Sequence, residues 1–524
     1  MSGLLPARVS QEAFDEVVKE NMEDFEMSPP EAVEDAMKQF KVQGVNLDNL
    51  DLSVPTDENR AERSKFIAAT ELLDGVVDSD SGDVNLKTCG QPVAALKDAL
   101  MTVNDFCGPD HANAKIYRSL LVTNAAIYTL MSFLGVEGDG KVELLEVVVK
   151  CLKTVIRESM ELRDAFIAQA RCCTLLEAHS DNASLTTNLL ALIKVSCKGV
   201  ENNKGYFMKA DGAKRVMDAM KKYDGSDANV LGEACFVVNV MCKFDDFRKE
   251  MSSAHENAKT FNLLGVIPAL LRITDYSLKD ENTRLAVAAM NGVRVLAVND
   301  EIVQSIVACG LLKRVKVMLD KYLHDAMLCS AAIGVYRNIS GNDQIKTTLV
   351  KDGSLVQMLK AMKAHQDSVS IAEHGCGALA AMALRIPENV ERIMQEDGAG
   401  HLVVAMKRHP KAVLVQRQGC LAIRNIIARN QDFKENLMEL GIEKVLKDAG
   451  RYQGAVDEAY AALRDLGLKA SVTKFDGETG KIVKTEMFGE KKANFNKSTL
   501  ASNEIDQRID ENAKPANQCV RGGF

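Results

Sequence analysis

The stretch MQEDGAGHLVVAMKRHP (residues 394–410), followed by VQRQGCLAIRNI (415–426), is one copy of a unit that recurs along the chain. An anchor glycine stands at Gly212, Gly265, Gly310, Gly353, Gly398 and Gly441, at intervals of 53, 45, 43, 45 and 43 residues. Four positions before each anchor is an apolar residue: Met208, Phe261, Ile306, Leu349, Met394 and Leu437. Five positions after it is another: Met217, Leu270, Val315, Met358, Val403 and Leu446. The pattern predicts a helix ending at each glycine, where glycine alone takes a left-handed turn without strain, and a second helix starting just beyond. Self-similarity at this period marks a stack of helical units.

A second signature lies on the last helix of each unit. Its central positions are Lys153, Lys194, Val238, Arg294, Arg337, Ala380, Arg424 and Arg464, spaced by 41, 44, 56, 43, 43, 44 and 40 residues. Eight aligned helices exceed the three or so repeats that a stack needs for stability. The expected fold is therefore all-α: a right-handed superhelical solenoid of the armadillo/HEAT type, with eight to nine repeats over residues 91–468. The 56-residue interval holds an insertion, KFDDFRKEMSSAHENAKTF (243–261). Insertions in solenoids map to loops on one face, often a binding face.

Outward from the repeats the pattern weakens. Residues 1–45 carry two short amphipathic helices, with Phe14, Val17, Val18 and Met22 on the first and Val33, Met37 and Phe40 on the second. Ser28 caps the second, and Pro29 and Pro30 occupy its first turn. Residues 46–90 are polar and acidic, with a short helix at 61–73, and read as a flexible linker. Residues 469–524 form a polar tail read as mostly disordered. Within it, 472–488 alternates around Asp476-Gly477 and Thr479-Gly480 as a small hairpin would.

Composition excludes several classes. The net charge of −8 gives no drive toward nucleic acid. The sequence has no run of about 18 apolar residues, so no membrane span is expected. No secretory signal opens it, which points to the cytoplasm and, by extension, the nucleus. Thirteen cysteines suggest disulfides or a metal at first. Cys197, Cys235, Cys329, Cys376 and Cys420 fall in apolar helical stripes instead, where cysteine acts as a small hydrophobe. Cys172-Cys173 is a vicinal pair, read as reduced thiols rather than a redox switch. No phosphate-binding loop, nucleophile elbow or zinc-protease motif occurs, so no enzyme, cofactor, metal or small-molecule substrate is expected.

The segments FDEVVKEN (14–21), FEMSPPEAVEDA (25–36), QFKVQGV (39–45), the insertion and QGCLAIRN (418–425) together resemble the armadillo repeat-containing protein 6 family. The resemblance covers roughly residues 10–468. It implies a helical solenoid that binds other proteins and carries no established catalytic activity. In armadillo folds the last helix of each unit lines a concave groove. Lys153, Lys194, Arg294, Arg337, Arg424 and Arg464 would then form a basic stripe, suited to acidic or phosphorylated partner segments. Asn239, Asn338 and Asn425 would hydrogen-bond an extended backbone. Nuclear-import cargo is not expected, since the chain has no tryptophan to pair with these asparagines.

In the insertion, Asp245, Asp246, Arg248, His255 and Lys259 are weighed as a partner-binding loop, a structural brace or, least favoured, a metal site. The acidic surface of the N-terminal helices (Glu12, Asp15, Glu16, Glu20, Glu23, Asp24, Glu26) complements a basic groove, as an autoinhibitory arm would; capping the first repeat is the alternative. The expected function is a non-enzymatic scaffold that holds a partner segment in the groove. A structural subunit of a large cytoskeletal or ciliary assembly is the alternative.

Overall fold

The computed structural model describes residues 9–45, 47, 50, 52, 57–78, 80–468, 470–476 and 481–487. Three helices come first: α1 (Gln11–Asp24), α2 (Pro29–Val42) and α3 (Asp57–Asp74). Next are α4 (Val93–Phe106), α5 (Ala114–Thr123), α6 (Ala126–Ser132) and α7 (Lys141–Arg157). Triplets follow, beginning with α8 (Met160–Ala165), α9 (Gln169–Ala178) and α10 (Ala183–Cys197). Then come α11 (Glu201–Lys209), α12 (Gly212–Lys222), α13 (Ala228–Met241), α14 (Ala254–Leu263), α15 (Val266–Lys279) and α16 (Thr283–Leu296). The next two triplets are α17 (Asp300–Ala308), α18 (Leu311–Lys321), α19 (Ala326–Ile339), α20 (Asp343–Lys351), α21 (Ser354–Ala364) and α22 (Val369–Ala383). The last two are α23 (Pro387–Gln395), α24 (Gly398–Arg408), α25 (Val413–Arg429), α26 (Lys434–Glu439), α27 (Ile442–Ala449) and α28 (Val456–Asp465).

The chain divides into two compact units. The first comprises Met1–Tyr223 and Asp245–Ser253, the second Asp224–Phe244 and Ala254–Phe524. In the first, α4, α7 and α10 pack side by side. In the second, the third helices of successive triplets (α13, α16, α19, α22, α25, α28) form one continuous layer, and the second helices α18, α21, α24 and α27 form another. Third helices are apolar on nearly every side because they are covered by neighbours on both flanks and by their own triplet. In α22, for example, every residue from Gly375 to Ala383 is buried. Their starts are set by polar caps. Asn182, Asp227, Asn282, Asp325 and Ser368 each accept a hydrogen bond from a first-turn N–H of α10, α13, α16, α19 and α22. Such a cap is worth about 1 kcal/mol.

The junction between first and second helices corrects part of the anchor-glycine reading. Gly265, Gly310, Gly353 and Gly441 are left-handed, with φ between 74° and 89°. Gly212 and Gly398 are instead the first helical residues of α12 and α24, and Asp211 (φ 57°) and Asp397 (φ 58°) make the turn. These two glycines supply space. A Cβ on Gly212 would lie 2.5 Å from the Phe207 ring, and one on Gly398 2.5 Å from Ile393 Cγ2. The junction has slipped by one residue, so Phe207 and Ile393 are the buried contacts rather than Met208 and Met394.

Within 46–90, the linker reading is corrected over α3. Helix α3 places Phe66, Ala69 and Leu73 on one stripe and buries them. The Phe66 ring lies 4.7 Å from Tyr117 and 5.9 Å from Phe106, and Thr129 Oγ1 donates to Asp74 at 2.6 Å. Few apolar residues suffice here because Phe66 enters an aromatic cluster with Phe106 and Tyr117.

Helices α1 and α2 turn their apolar faces toward each other around Phe14, Val18, Val33 and Ala36. Arg63 of α3 reaches back to Gln11 Oε1 at 2.8 Å. At the other end, β1 (Ala470–Asp476) and β2 (Lys481–Met487) pair antiparallel, with Ala470 opposite Met487. The polar-tail reading of 488–524 lies outside the described residues.

Candidate functional site: the third-helix layer and the insertion

In the second unit, the expected basic stripe exists as positions, but three of its four arginines already engage a carboxylate. Arg337 is only 8 % exposed, and its Nη1 donates to Glu373 at 3.1 Å. Arg424 Nε pairs with Asp465 at 3.2 Å, and Arg464 pairs with the same carboxylate at 2.7 Å. Each carboxylate comes from the helix one repeat further on, or from the arginine's own helix. In the first unit, Lys153 donates to Asn188 at 3.2 Å, and Lys194 is half-buried on α10.

Arg294 differs. Among the described residues no carboxylate lies within ion-pair distance of it, and its Nη1 sits 3.0 Å from His374 Nε2. Burial, followed by the nearby Arg337 charge, pushes its pKa down, with Glu373 opposing. Burial also holds His374 at about 3, with Arg294 and Arg337 adding to the effect. The imidazole is therefore neutral at physiological pH. Arg294, Arg337, Glu373 and His374 together carry one uncompensated positive charge.

Glycines make room for this packing. A Cβ on Gly334 would lie 3.1 Å from Arg294 Cδ, and one on Gly377 only 2.6 Å from Arg337 Nε. Each arginine thus lies across the glycine of the next third helix.

The asparagines hold the helices in register. Asn239 Nδ2 donates to the Asn291 carbonyl (3.2 Å), Asn338 Nδ2 to that of Arg294 (2.9 Å), and Asn425 Nδ2 to that of Ala380 (2.9 Å). In each case one side-chain donor is engaged by a neighbouring repeat.

The insertion is braced by buried ion pairs in the first unit. Lys204 Nζ, fully buried on α11, donates to Asp245 at 2.6 Å and lies 3.4 Å from Glu201. Asp246 accepts from the Glu201 N–H (3.1 Å) and from Arg248 Nε (2.8 Å). Arg248 continues to Asp164 at 2.6 Å and to the Gly199 carbonyl at 3.2 Å. The Arg248 hydrogen bond is the main reason that Asp246 falls to about 2. Glu201 Oε1 closes the loop by accepting from the Ser253 N–H at 2.6 Å. The clamp leaves Phe247 and Met251 exposed. His255 and Lys259 are exposed on α14 in the second unit, where Lys259 pairs with Glu256. Among the described residues no group of three or more His, Cys, Asp and Glu side chains could hold a metal ion.

Comparison with known proteins fits this architecture. The armadillo repeat-containing protein 6 (ARMC6) family model matches residues 84–484, and the family's N-terminal domain matches residues 6–65. The chain belongs to the armadillo repeat-containing protein 6 family. Armadillo repeat-containing protein 6 of Homo sapiens is 29 % identical over 395 residues, covering 74 % of this chain and 76 % of its own length. The Drosophila melanogaster homolog is 27 % identical over 387 residues, covering 73 % and 78 %. Among solved structures, a crystallised engineered protein superposes with a TM-score of 0.58 at 16 % identity, covering 86 % of this chain and 98 % of its own.

Membership in the armadillo repeat-containing protein 6 family gives the fold and suggests a protein-interaction scaffold. The vicinal cysteines are held as thiols by their position. Cys172 and Cys173 are buried, and burial raises both thiols, Cys173 to about 11. Sequence reasoning missed a set of cross-repeat staples at the C-terminal ends of second helices. Tyr322 Oη donates to the Leu278 carbonyl at 2.6 Å, while His365 and His409 reach the carbonyls of Leu323 (2.6 Å) and Gln366 (2.8 Å). The signal was present: an aromatic or histidine recurs at 322, 365 and 409, intervals of 43 and 44.

Proposed function

We propose that the chain is a non-enzymatic scaffold that binds a segment of another protein along the third-helix layer of its second unit. The segment presents an acidic or phosphorylated residue to Arg294. One observation carries this reading: Arg294 is the stripe arginine without a carboxylate among the described residues, while it faces a like charge on Arg337 and a neutral His374. An incoming anion relieves that imbalance. Charge-assisted hydrogen bonds of this kind are about twice as strong as neutral ones. Phe236, Met327 and Val369, exposed on α13, α19 and α22, offer apolar contact to the same segment.

The test compares affinity capture by wild type, Arg294→Gln and Arg464→Gln, with circular dichroism to check the fold. A set of partners lost at moderate salt from Arg294→Gln, but kept by Arg464→Gln, supports the reading. An unchanged partner set overturns it.

A further inference from the structure

The second-helix layer of the second unit holds a cleft of about 330 Å³ between α21, α24 and Leu440. Met362, Val403 and Ala405 are buried along it, and Val404 is 41 % exposed in its wall. That size is at the lower end for small-ligand pockets. Lys363 and Lys407 line it, at equivalent positions 44 residues apart. Among the described residues neither has a carboxylate within 4 Å. Other lysines of this layer do: Lys316 pairs with Asp352 and Lys447 with Glu443, at 2.7 and 2.5 Å.

The histidines of the lining have their donors committed. A carbonyl only accepts, so His365 Nε2–H is spent on Leu323 and His401 Nδ1–H on Asp397, at 2.6 and 2.9 Å. The one carboxylate of the cleft, Asp397, lies beside His401 with 4.0 Å between Oδ2 and Nδ1. Lys363 and Lys407 thus stand with Asp397 around an apolar floor, and the two lysines outnumber the one carboxylate.

We propose that this cleft binds a phosphomonoester carried on an aromatic body, as a phosphotyrosine side chain of a partner protein. A phosphomonoester carries about −1.5 to −2 charges at neutral pH and so matches two ammonium groups, whereas a carboxylate matches one. Lysine binds phosphate as a point charge. A phenyl ring covers Val403, Val404 and Leu440, which the single methylene of phosphoserine does not reach. The site is separate from Arg294 and stands without the groove reading.

The test is calorimetric titration of the full chain with phenyl phosphate, inorganic phosphate, and phosphotyrosine and phosphoserine peptides of otherwise identical sequence. Saturable binding of phenyl phosphate and the phosphotyrosine peptide is expected, with each lysine removed (Lys363→Met, Lys407→Met) weakening it about tenfold, the equivalent of about 1.4 kcal/mol. Both lysines are exposed, so the variants keep the fold. Arg294→Gln serves as the control and leaves binding unchanged. The proposal is overturned by any of three results. These are no binding at millimolar phenyl phosphate, equal affinity for inorganic phosphate or phosphoserine peptide, and loss of binding in Arg294→Gln but not in the lysine variants.

Discussion

Arg294 Nη1 donates to His374 Nε2 across 3.0 Å, and this fixes the charge state of both residues. A guanidinium has no lone pair to offer, so the imidazole must be the acceptor and therefore neutral. Its folded pKa of about 3 lies below the unfolded value near 6.5. Between those values the unfolded chain binds the extra proton. The contribution is thus fully present above about pH 6.5 and is lost as pH falls toward 3, at up to about 1.4 kcal/mol per pH unit. In urea denaturation at pH 7 and pH 5, wild type should lose about 2 kcal/mol more than His374→Gln, whose amide keeps an acceptor for Arg294. Parallel losses would remove the linkage.

The insertion should prove a stability element. Lys204→Met leaves the buried Glu201 and the partly buried Asp245 together without their cation, a loss of about 3–5 kcal/mol by analogy with other broken buried pairs. Adding Asp245→Asn should restore part of it, since a neutral amide no longer needs the ammonium. A double-mutant cycle by denaturant unfolding reads the coupling. Strict additivity would mean that the 2.6 Å contact carries no energy.

The anchor glycines separate into two chemical classes. Gly265 has φ 83° and open space where a Cβ would point, so only the left-handed backbone resists substitution. Asparagine tolerates that region, and Gly265→Asn should cost under about 1 kcal/mol. Gly398 is helical but faces Ile393 Cγ2 at 2.5 Å. Its Cβ would also lie 2.9 Å from the Ile393 carbonyl oxygen, so Gly398→Ala should cost about 1–3 kcal/mol by overpacking, and an Ile393→Ala background should relieve only the side-chain part of that cost. Thermal melts of the four variants check the sorting.

This division shows what could be read from the sequence. The period of the repeat and its apolar positions depend on local spacing and were legible without coordinates. Whether Asp397 or Gly398 takes the left-handed turn was not, because an Asp-Gly pair permits either. The stripe arginines were legible as positions, but their neutralisation was not. Glu373 and Asp465 arrive from 36 and 41 residues beyond Arg337 and Arg424, a distance that only the stacking of third helices closes. For the same reason the insertion looked like a surface loop: its buried partner Lys204 lies 41 residues before Asp245.

Substitutions along the stripe should therefore diverge. Arg337→Glu sets a second carboxylate against Glu373 where the arginine was 8 % exposed, and the buried repulsion should destabilise the second unit by more than about 3 kcal/mol. Arg294→Gln instead removes one of two like charges and should be close to neutral for stability. It has a further signature. With the Arg294 charge gone, one of the causes that depress His374 is gone too, so its pKa should move up, although burial and Arg337 still hold it below 6.5. Imidazole titration followed by NMR between pH 3 and 7 measures this directly. An unmoved His374 in a folded Arg294→Gln protein would mean that burial and Arg337 set the histidine without Arg294.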